Sequence, residues 1–235
     1  DHLHAGKEAL SGDSETSESV SLSRDWRERL SVSRDLGTGF AAPGGEFTRA
    51  LYEWALTDQG GFLKDLLAGR RVVELGAGMM PYGYALAATC GARNFVAVEP
   101  FYADKQSLSL STFTGQPGQS VPRIPYKVED RDMLAYLQEE ADDLLCVVAC
   151  GIEDCILPGP EYRARVESEI RRVLEPDAFF LSSHSDLYPK DLKTVEITYP
   201  RPSKPKVRDR LRLHGAKDAF ERYGDRIKDL LVSKS

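Results

Sequence analysis

The sequence has no run of about 18 or more apolar residues, which excludes a membrane-spanning helix. Its first residues lack the basic and then apolar layout of a signal peptide, so we expect a cytoplasmic protein without membrane contacts. Cysteine is scarce, and Cys90, Cys146, Cys150 and Cys155 fall in or beside apolar segments. This predicts reduced thiols rather than a disulfide framework. The spacing C-x3-C-x4-C of the last three fits no common zinc site, so no metal is expected.

Positive charge is in deficit, and the net charge of −6 argues against nucleic acid as a partner of the whole protein. The deficit is uneven, because residues 190–235 carry 13 Lys and Arg against 7 Asp and Glu. Two interpretations stay open. A basic C-terminal face attracts anionic substrates, or it is a solvated surface that balances an acidic body.

The composition changes along the chain and divides it into three regions. Residues 1–23 are rich in Ser, Glu, Asp and Gly and hold too few apolar groups to offset the entropy of ordering, which predicts a flexible tail. Residues 24–69 show apolar groups at helical spacing, interrupted by glycines, and predict an N-terminal helical cap. Residues 70–235 form the third region, an α/β domain.

Strand and helix patterns alternate in this third region, which is typical of parallel βαβ units. The pattern predicts an α/β fold with a doubly wound, mostly parallel sheet and helices on both faces. The predicted strands are 72–75, 94–98, 124–128, 144–149, 178–181, 195–199 and a weaker 207–213. The predicted helices are 81–90, 133–139, 162–174 and 219–230.

A glycine turn follows the first predicted strand, where the sequence reads Glu74-Leu75-Gly76-Ala77-Gly78. Glycines are needed where a backbone turns sharply and a ligand must approach it closely. Glu99 ends the next strand, where a carboxylate can accept hydrogen bonds from both hydroxyls of a ribose. The alternative is a tight turn and a surface glutamate. The order of strand, turn, helix, strand and acid favours a nucleotide crevice.

Two residues in this segment argue against a dinucleotide. Pro81 stands where the G-x-G-x-x-G pattern has its third glycine, and Glu74 adds negative charge close to the position of a pyrophosphate. A carboxylate at this position suits a cationic ligand instead, such as a sulfonium that bears an amino-acid group. A nicotinamide-dependent oxidoreductase is therefore the weaker alternative.

The segment Glu74-Leu75-Gly76-Ala77-Gly78 resembles the first motif of class I S-adenosylmethionine-dependent methyltransferases. The resemblance spans roughly residues 46–185 and implies a seven-stranded sheet, S-adenosylmethionine as cofactor and methyl transfer as activity. It implies that Glu99, followed by Pro100, holds the ribose. It also implies that Asp132 and Met133 hold the adenine, although Asp130 is an equally reachable carboxylate. Ala149 and Cys150, which end the fourth strand, would line the methyl-donor sulfur.

The sequence also departs from the family pattern, and these departures leave the acceptor undefined. The tip of the fourth strand lacks the Asn/Asp-Pro-Pro-Tyr/Phe signature for methylation of exocyclic or amide nitrogens. We therefore expect a small-molecule or protein acceptor. Pro200, Pro202 and Pro205 separate the last two predicted strands, so we expect the family's closing hairpin to be modified or the chain to be truncated.

Three residues are candidates for catalysis. Glu153 and Asp154 follow the fourth strand and could bind an acceptor or take its proton, unless they are solvated loop carboxylates. His184 follows the fifth strand and could act as a base, or it has a structural role. Because the acceptor site is undefined, a catalytically inactive S-adenosylmethionine-binding or scaffold domain is the alternative to an enzyme. The oligomeric state does not follow from the sequence.

Overall fold

A computed structural model describes residues 45–114 and 120–232. The predicted tail (1–23) and the first part of the predicted cap lie outside these residues, so both stay predictions. The strands are β1 (Arg71–Leu75), β2 (Asn94–Val98), β3 (Tyr126–Glu129), β4 (Cys146–Cys150), β5 (Phe179–Ser183), β6 (Lys193–Arg201) and β7 (Lys204–Gly215). The α-helices are α1 (Glu46–Ala55), α2 (Phe62–Leu67), α3 (Tyr82–Thr89), α4 (Ala103–Thr112), α5 (Met133–Glu139), α6 (Pro160–Val173) and α7 (Lys217–Val232).

The seven strands form one sheet in the order β3-β2-β1-β4-β5-β7-β6. The pairs among β1 to β5 are parallel, whereas β7 runs antiparallel to both of its neighbours, β5 and β6. Successive residues of β1, β2, β4 and β5 are buried, as in strands that are covered on both faces. The predicted mostly parallel α/β sheet is confirmed.

The expectation of a modified closing hairpin is wrong, because β6 and β7 pair over their whole length. Pro202 lies in the two-residue turn between them, where proline is common. Pro200 lies beside the register shift of β6, an edge strand, and Pro205 lies where β7 extends beyond its partner β5. At such positions proline removes no hydrogen bond between central strands.

Two other elements differ from the prediction. Helix α4 was not predicted, because its buried face consists of only Gln106 and Leu110 and shows no apolar stripe. Strand β7 is 12 residues long and extends beyond both ends of the predicted 207–213. Its Lys and Arg side chains mostly face solvent beyond the edge of the core, so the apolar pattern of the strand is weak. Cys146 is buried as expected, Cys150 is partly buried and Cys155 is exposed; all four cysteines are free thiols.

Helix α1 is the part of the predicted cap that bears on the site. It packs against α3 and β6 and buries Leu51, Tyr52 and Trp54 completely or nearly so. Within residues 45–114 and 120–232, no helix has both the length and the apolar character that crossing a membrane requires. The same residues contain no cluster of three or more side chains that could hold a metal ion.

Candidate cofactor and acceptor site

The glycine turn after β1 has the backbone conformation that its sequence predicts. Gly76 and Gly78 have φ angles of +67° and +69°, in the left-handed region that disfavours other residues. A Cβ atom on Gly76 would lie 2.4 Å from Cδ1 of Ile152, which follows β4. The left-handed backbone therefore favours glycine at position 76, and a larger residue would also have to displace the end of the Ile152 side chain.

Glu74 lies in β1 below this turn, and only 2% of its surface is exposed. Its Oε1 accepts a hydrogen bond of 2.9 Å from Thr48 Oγ1 of α1. Its Oε2 is buried and has no hydrogen-bond partner in the described part of the chain. Burial raises the pKa of Glu74 to about 8; the charge of Glu99 also raises this pKa, and the bond from Thr48 opposes the shift.

Gly83, in the first turn of α3, makes room for this carboxylate, since a Cβ there would lie 1.8 Å from Glu74 Oε2. The site therefore holds a buried carboxylate oxygen that has no donor among the described residues, beside a glycine turn. An isolated buried charge is costly, and a cationic ligand would offset that cost. Sequence reasoning found Glu74 but missed Thr48, whose spacing in α1 is that of an ordinary core residue.

Glu99 lies against the glycine turn, as predicted from the order of the elements. Its carboxylate accepts hydrogen bonds from the backbone N–H groups of Gly78 (2.8 Å), Phe101 (2.8 Å) and Tyr102 (3.2 Å). Burial raises the pKa of Glu99, and these backbone donors oppose the shift. Pro100 follows it and is partly buried. The structure thus joins the tips of β1 and β2 through a side chain.

Asp132 caps helix α5, and its Oδ1 accepts hydrogen bonds from the N–H groups of Leu134 (3.0 Å) and Ala135 (3.1 Å). The same oxygen accepts a bond of 2.9 Å from the hydroxyl of Tyr162 in α6, a partner that the sequence did not indicate. Met133 is buried beside it, whereas the competing candidate Asp130 is exposed. Asp132 therefore has a structural role whatever else it binds.

The tip of β4 adjoins the tip of β5. Ala149 is fully buried and Cys150 partly buried. The N–H of Gly151 donates to the carbonyl of Ser183 over 2.9 Å, and Gly151 has a left-handed φ of +74°. The carboxyl ends of the parallel strands thus meet at one edge of the sheet, where ligands of open α/β sheets bind.

The two candidate carboxylates after β4 are both exposed. Both oxygens of Asp154 accept hydrogen bonds from Arg163 Nη1, over 2.6 and 2.7 Å. The backbone N–H of Asp154 donates to Asp186. The structure therefore places Asp154 in a surface ion pair, whereas the carboxylate of Glu153 has no hydrogen bond to any described residue.

His184 follows β5 and has an unusual set of contacts. Its φ angle of +49° is uncommon for a residue other than glycine. Its ring stacks on Phe47 of α1, with 3.8 Å between ring centroids, and its side chain is 34% exposed. Its Nε2 lies 3.2 Å from Oδ1 of Asp209 in β7.

Asp209 is 2% exposed and accepts two bonds from Arg201, from Nε (2.8 Å) and from Nη2 (3.0 Å). Burial tends to raise the pKa of Asp209, but its bonds to Arg201 and His184 lower the pKa below its usual value. Sequence reasoning missed Asp209, because it lies in an alternating run of charged residues that is typical of a solvated strand.

Helix α1 covers the space beyond β4. A Cβ on Gly151 would lie 3.3 Å from the ring of Phe47, which is therefore close to both Gly151 and His184. Trp54, further along α1, stacks on Tyr199 of β6 at 4.7 Å. Helix α1 thus contributes buried residues to the core and also places Phe47 beside the tips of β4 and β5.

A cavity of about 480 Å³ opens beside this region, between α1, the start of α3 and the turn that joins β6 to β7. Its lining includes three cationic side chains, those of Arg49, Arg201 and Lys204. Glu46 accepts hydrogen bonds from Lys204 (2.9 Å) and from Arg201. Two of the three cations thus come from the basic C-terminal region of the sequence, although a carboxylate already pairs with them.

No family model matches the sequence, and no curated protein is significantly similar to it. Several solved structures are similar in fold. A 1,6-didemethyltoxoflavin-N1-methyltransferase from Burkholderia thailandensis is 15% identical, covering 92% of this chain and 94% of its own, with a TM-score of 0.47. A spermidine synthase from Thermotoga maritima is 12% identical over 77% of this chain and 62% of its own (TM-score 0.48). A precorrin 8W decarboxylase from Methanobacterium thermoautotrophicum is 16% identical over 65% and 83% (TM-score 0.43).

The sheet itself settles the fold class. Five parallel strands, an antiparallel closing hairpin and burial of the central strands on both faces agree with what the resemblance implies. The chain therefore has the Rossmann-like fold of the class I S-adenosylmethionine-dependent methyltransferases, which it also resembles in its glycine turn.

Proposed function

We propose that the chain binds S-adenosylmethionine and transfers its methyl group to a small-molecule or protein acceptor. The observation that carries this proposal is that Oε2 of Glu74 is buried beside the glycine turn and has no donor within residues 45–114 and 120–232. The amino group of S-adenosylmethionine is a cationic donor that would satisfy this oxygen. A diphosphate would bring a negative charge there, so the same oxygen disfavours a nicotinamide dinucleotide and an oxidoreductase.

Residues at the tips of β2, β3 and β4 would supply the remaining contacts to the cofactor. A carboxylate has about four lone-pair positions, and Glu99 uses three of them for backbone donors. One ribose hydroxyl can therefore bind Glu99 directly, and a second can bind where a backbone bond opens. Asp132 and Met133 would hold the adenine, and Ala149 and Cys150 would lie beside the sulfur.

When bound, the cofactor supplies an electrophilic methyl group, so the chain's own residues have to align the acceptor and exclude water. The acceptor and the methyl carbon must approach to about 3–3.5 Å, and such positioning can lower the barrier by roughly 7–11 kcal/mol. The space beyond Cys150, bordered by Gly151 and His184 and covered by Phe47, is where we place the acceptor.

A cofactor-binding domain without transferase activity is the second candidate. Phe47 favours it, because its ring lies against Gly151 and His184 and narrows the path of an acceptor. Incubation of the protein with methyl-labelled S-adenosylmethionine and cell extract distinguishes the two candidate functions. An enzyme labels a defined species, whereas a binding domain retains the cofactor and labels nothing.

Calorimetry tests the cofactor site directly. We expect S-adenosylmethionine and S-adenosylhomocysteine to bind and NAD to bind far more weakly; tighter binding of NAD would overturn the proposal. Since burial raises the pKa of Glu74 to about 8, its carboxyl is mostly protonated at pH 7, and binding of the cationic amino group would release that proton. Affinity should therefore rise close to tenfold per pH unit below about pH 7 and level off towards pH 8.

Two controls isolate the contribution of Glu74. Glu74→Gln should bind S-adenosylmethionine more weakly and lose most of this pH dependence, because the amide does not titrate. 5′-Methylthioadenosine lacks the amino-acid group, so its affinity should be nearly independent of pH in both proteins. A Glu74→Gln protein with the affinity and pH profile of the parent would contradict the assigned role.

A further inference from the structure

We propose that Asp209 positions His184 as the proton acceptor of the transfer, so that the reacting oxygen or nitrogen of the acceptor carries a proton that must leave. This inference rests on the proposed function. It assigns a role to Asp209 and narrows the chemical class of the acceptor to alcohols, phenols and neutral amines that bear an N–H group.

Asp209 determines which nitrogen of His184 is free. Its carboxylate is ionised between the two donors of Arg201, and an ionised carboxylate only accepts hydrogen bonds. Nε2 of His184 therefore carries the proton that it donates to Asp209, and Nδ1 carries the lone pair. Nδ1 has no hydrogen bond to any described residue, which leaves it able to take a proton.

The placement of His184 also indicates a function. Its backbone is held in the left-handed region, and such strained residues persist where the surroundings hold them, often at functional sites. It follows β5 directly, and its ring stacks on Phe47, which also lies close to Gly151, the residue after β4. The side chain is 34% exposed, so a ligand can reach it.

His214 provides a contrast within the same sheet. It is completely buried, and both ring nitrogens are bonded, Nε2 to Ser182 (2.9 Å) and Nδ1 to Thr194 (2.8 Å). No nitrogen of His214 is left for an acceptor. Of these two histidines, only His184 combines an ionised partner, a free nitrogen and access.

The proposed step balances as follows. The acceptor's oxygen or nitrogen uses a lone pair to form the bond to the methyl carbon, while the bond between that carbon and sulfur breaks and sulfur keeps the electron pair. The proton of the acceptor atom passes to Nδ1 of His184. The resulting imidazolium is stabilised by Asp209 until it releases the proton to water.

Nitrogen-15 spectra of the whole chain test the positioning without any acceptor. Neutral His184 should be in the Nε2–H form, and Asp209→Asn should lose this preference, while the signals of His214 stay in place. Asp209→Glu, which keeps the carboxylate, should restore the Nε2–H form at least in part. A parent protein with His184 in the Nδ1–H form would overturn the inference.

Turnover of the species labelled in extract tests the chemistry. His184→Gln should lower it by about 10²- to 10⁴-fold and Asp209→Asn by about tenfold or more, with affinity for S-adenosylhomocysteine unchanged within about twofold. Added imidazole should restore part of the activity of His184→Ala. Glu196→Gln, which changes an exposed carboxylate on β6, should match the parent.

The outcomes distinguish this inference from the proposed function. If the parent binds no S-adenosylhomocysteine or labels nothing, methyl transfer itself fails and the role of His184 falls with it. If methyl transfer is observed but His184→Gln turns over at the parent's rate, only this inference is overturned. A labelled product that is a sulfonium or a quaternary ammonium also overturns it, because no proton leaves in forming either.

Discussion

The two halves of the candidate site are built differently. The cofactor half consists of the tips of β1, β2 and β3 with the glycine turn, and its key contact joins Glu99 to backbone groups within a few residues or one neighbouring strand away. The acceptor half consists of the tips of β4 and β5, α1 and the β6–β7 hairpin. Its contacts join residues far apart in sequence, such as Glu46 and Arg201. Local backbone geometry therefore builds one half, and convergence of remote elements builds the other.

The largest effect on stability is expected where the backbone at Gly60 passes close to the backbone of α1. A Cβ on Gly60, after α1, would lie 1.6 Å from the carbonyl oxygen of Trp54. Gly60→Ala should lower the free energy of unfolding by about 3 kcal/mol or more, because backbone cannot move aside as a side chain can. Denaturant titration measures it.

The matched control is Gly224→Ala in α7, where a Cβ would meet nothing within 4 Å. This substitution should raise the free energy of unfolding by about 0.5–1 kcal/mol, the gain of alanine over glycine in a helix. Equal effects of the two changes would mean that α1 is not held at its C-terminal end as the structure shows.

The hairpin side of the sheet should also be sensitive to acid. Burial, together with the charge of Arg212, lowers the pKa of His214 from 6.5 to about 4. Between these values the unfolded chain binds more protons at His214 than the folded one, so the contribution of His214 to stability is complete above pH 6.5 and is lost towards pH 4. The loss should amount to about 3 kcal/mol. His214→Gln should remove this part of the pH dependence, as denaturant titrations at several pH values would show.

Glu99 offers the test of the cofactor half. Glu99→Ala should weaken binding of S-adenosylmethionine by roughly 2–3 kcal/mol, since bonds to a charged group contribute about 1.5–3 kcal/mol each and water replaces part of them. This corresponds to about 30- to 150-fold in affinity. Glu221→Ala, which removes a 62% exposed carboxylate of α7, should bind as the parent does. Unchanged affinity in a folded Glu99→Ala protein would show that the tip of β2 does not contact the cofactor.

The smallest effect is expected at Asp154. Its side chain is 58% exposed and paired with Arg163, and an exposed ion pair contributes about 0–1 kcal/mol to stability. Asp154→Ala should leave cofactor affinity intact and lower turnover less than Glu153→Ala, whose carboxylate has no partner among the described residues. Steady-state rates of the two variants decide the order. A larger loss of turnover for Asp154→Ala would indicate that the acceptor binds nearer to Arg163.

Particular residues of the cofactor half show why its structure could be predicted from the sequence. Gly76, Gly78 and Glu99 lie at the end of strands that apolar runs make easy to recognise, and a strand, a tight turn and a helix force their geometry. The same reasoning found β1 to β5, although not α4, whose buried face is polar. It misjudged the hairpin because prolines in a turn and prolines that end a strand look the same in sequence.

The acceptor half contained no comparable signal. Asp209 lies among Arg208, Arg210 and other charged residues, and only the pairing of β7 with β6 and the approach of β5 bring it to His184. Likewise, Thr48 reaches Glu74 because α1 folds back over the sheet.

The amino-acid pattern thus sufficed for the α/β class, the glycine turn and the two acidic residues that border it, because each depends on chain neighbours or on strand order. The partners of His184, the unpaired oxygen of Glu74 and the covering of the crevice by Phe47 arose from packing between distant elements. Such contacts depend on the angles and distances at which helices and strands meet, and those are set by the whole core rather than by any local run of residues.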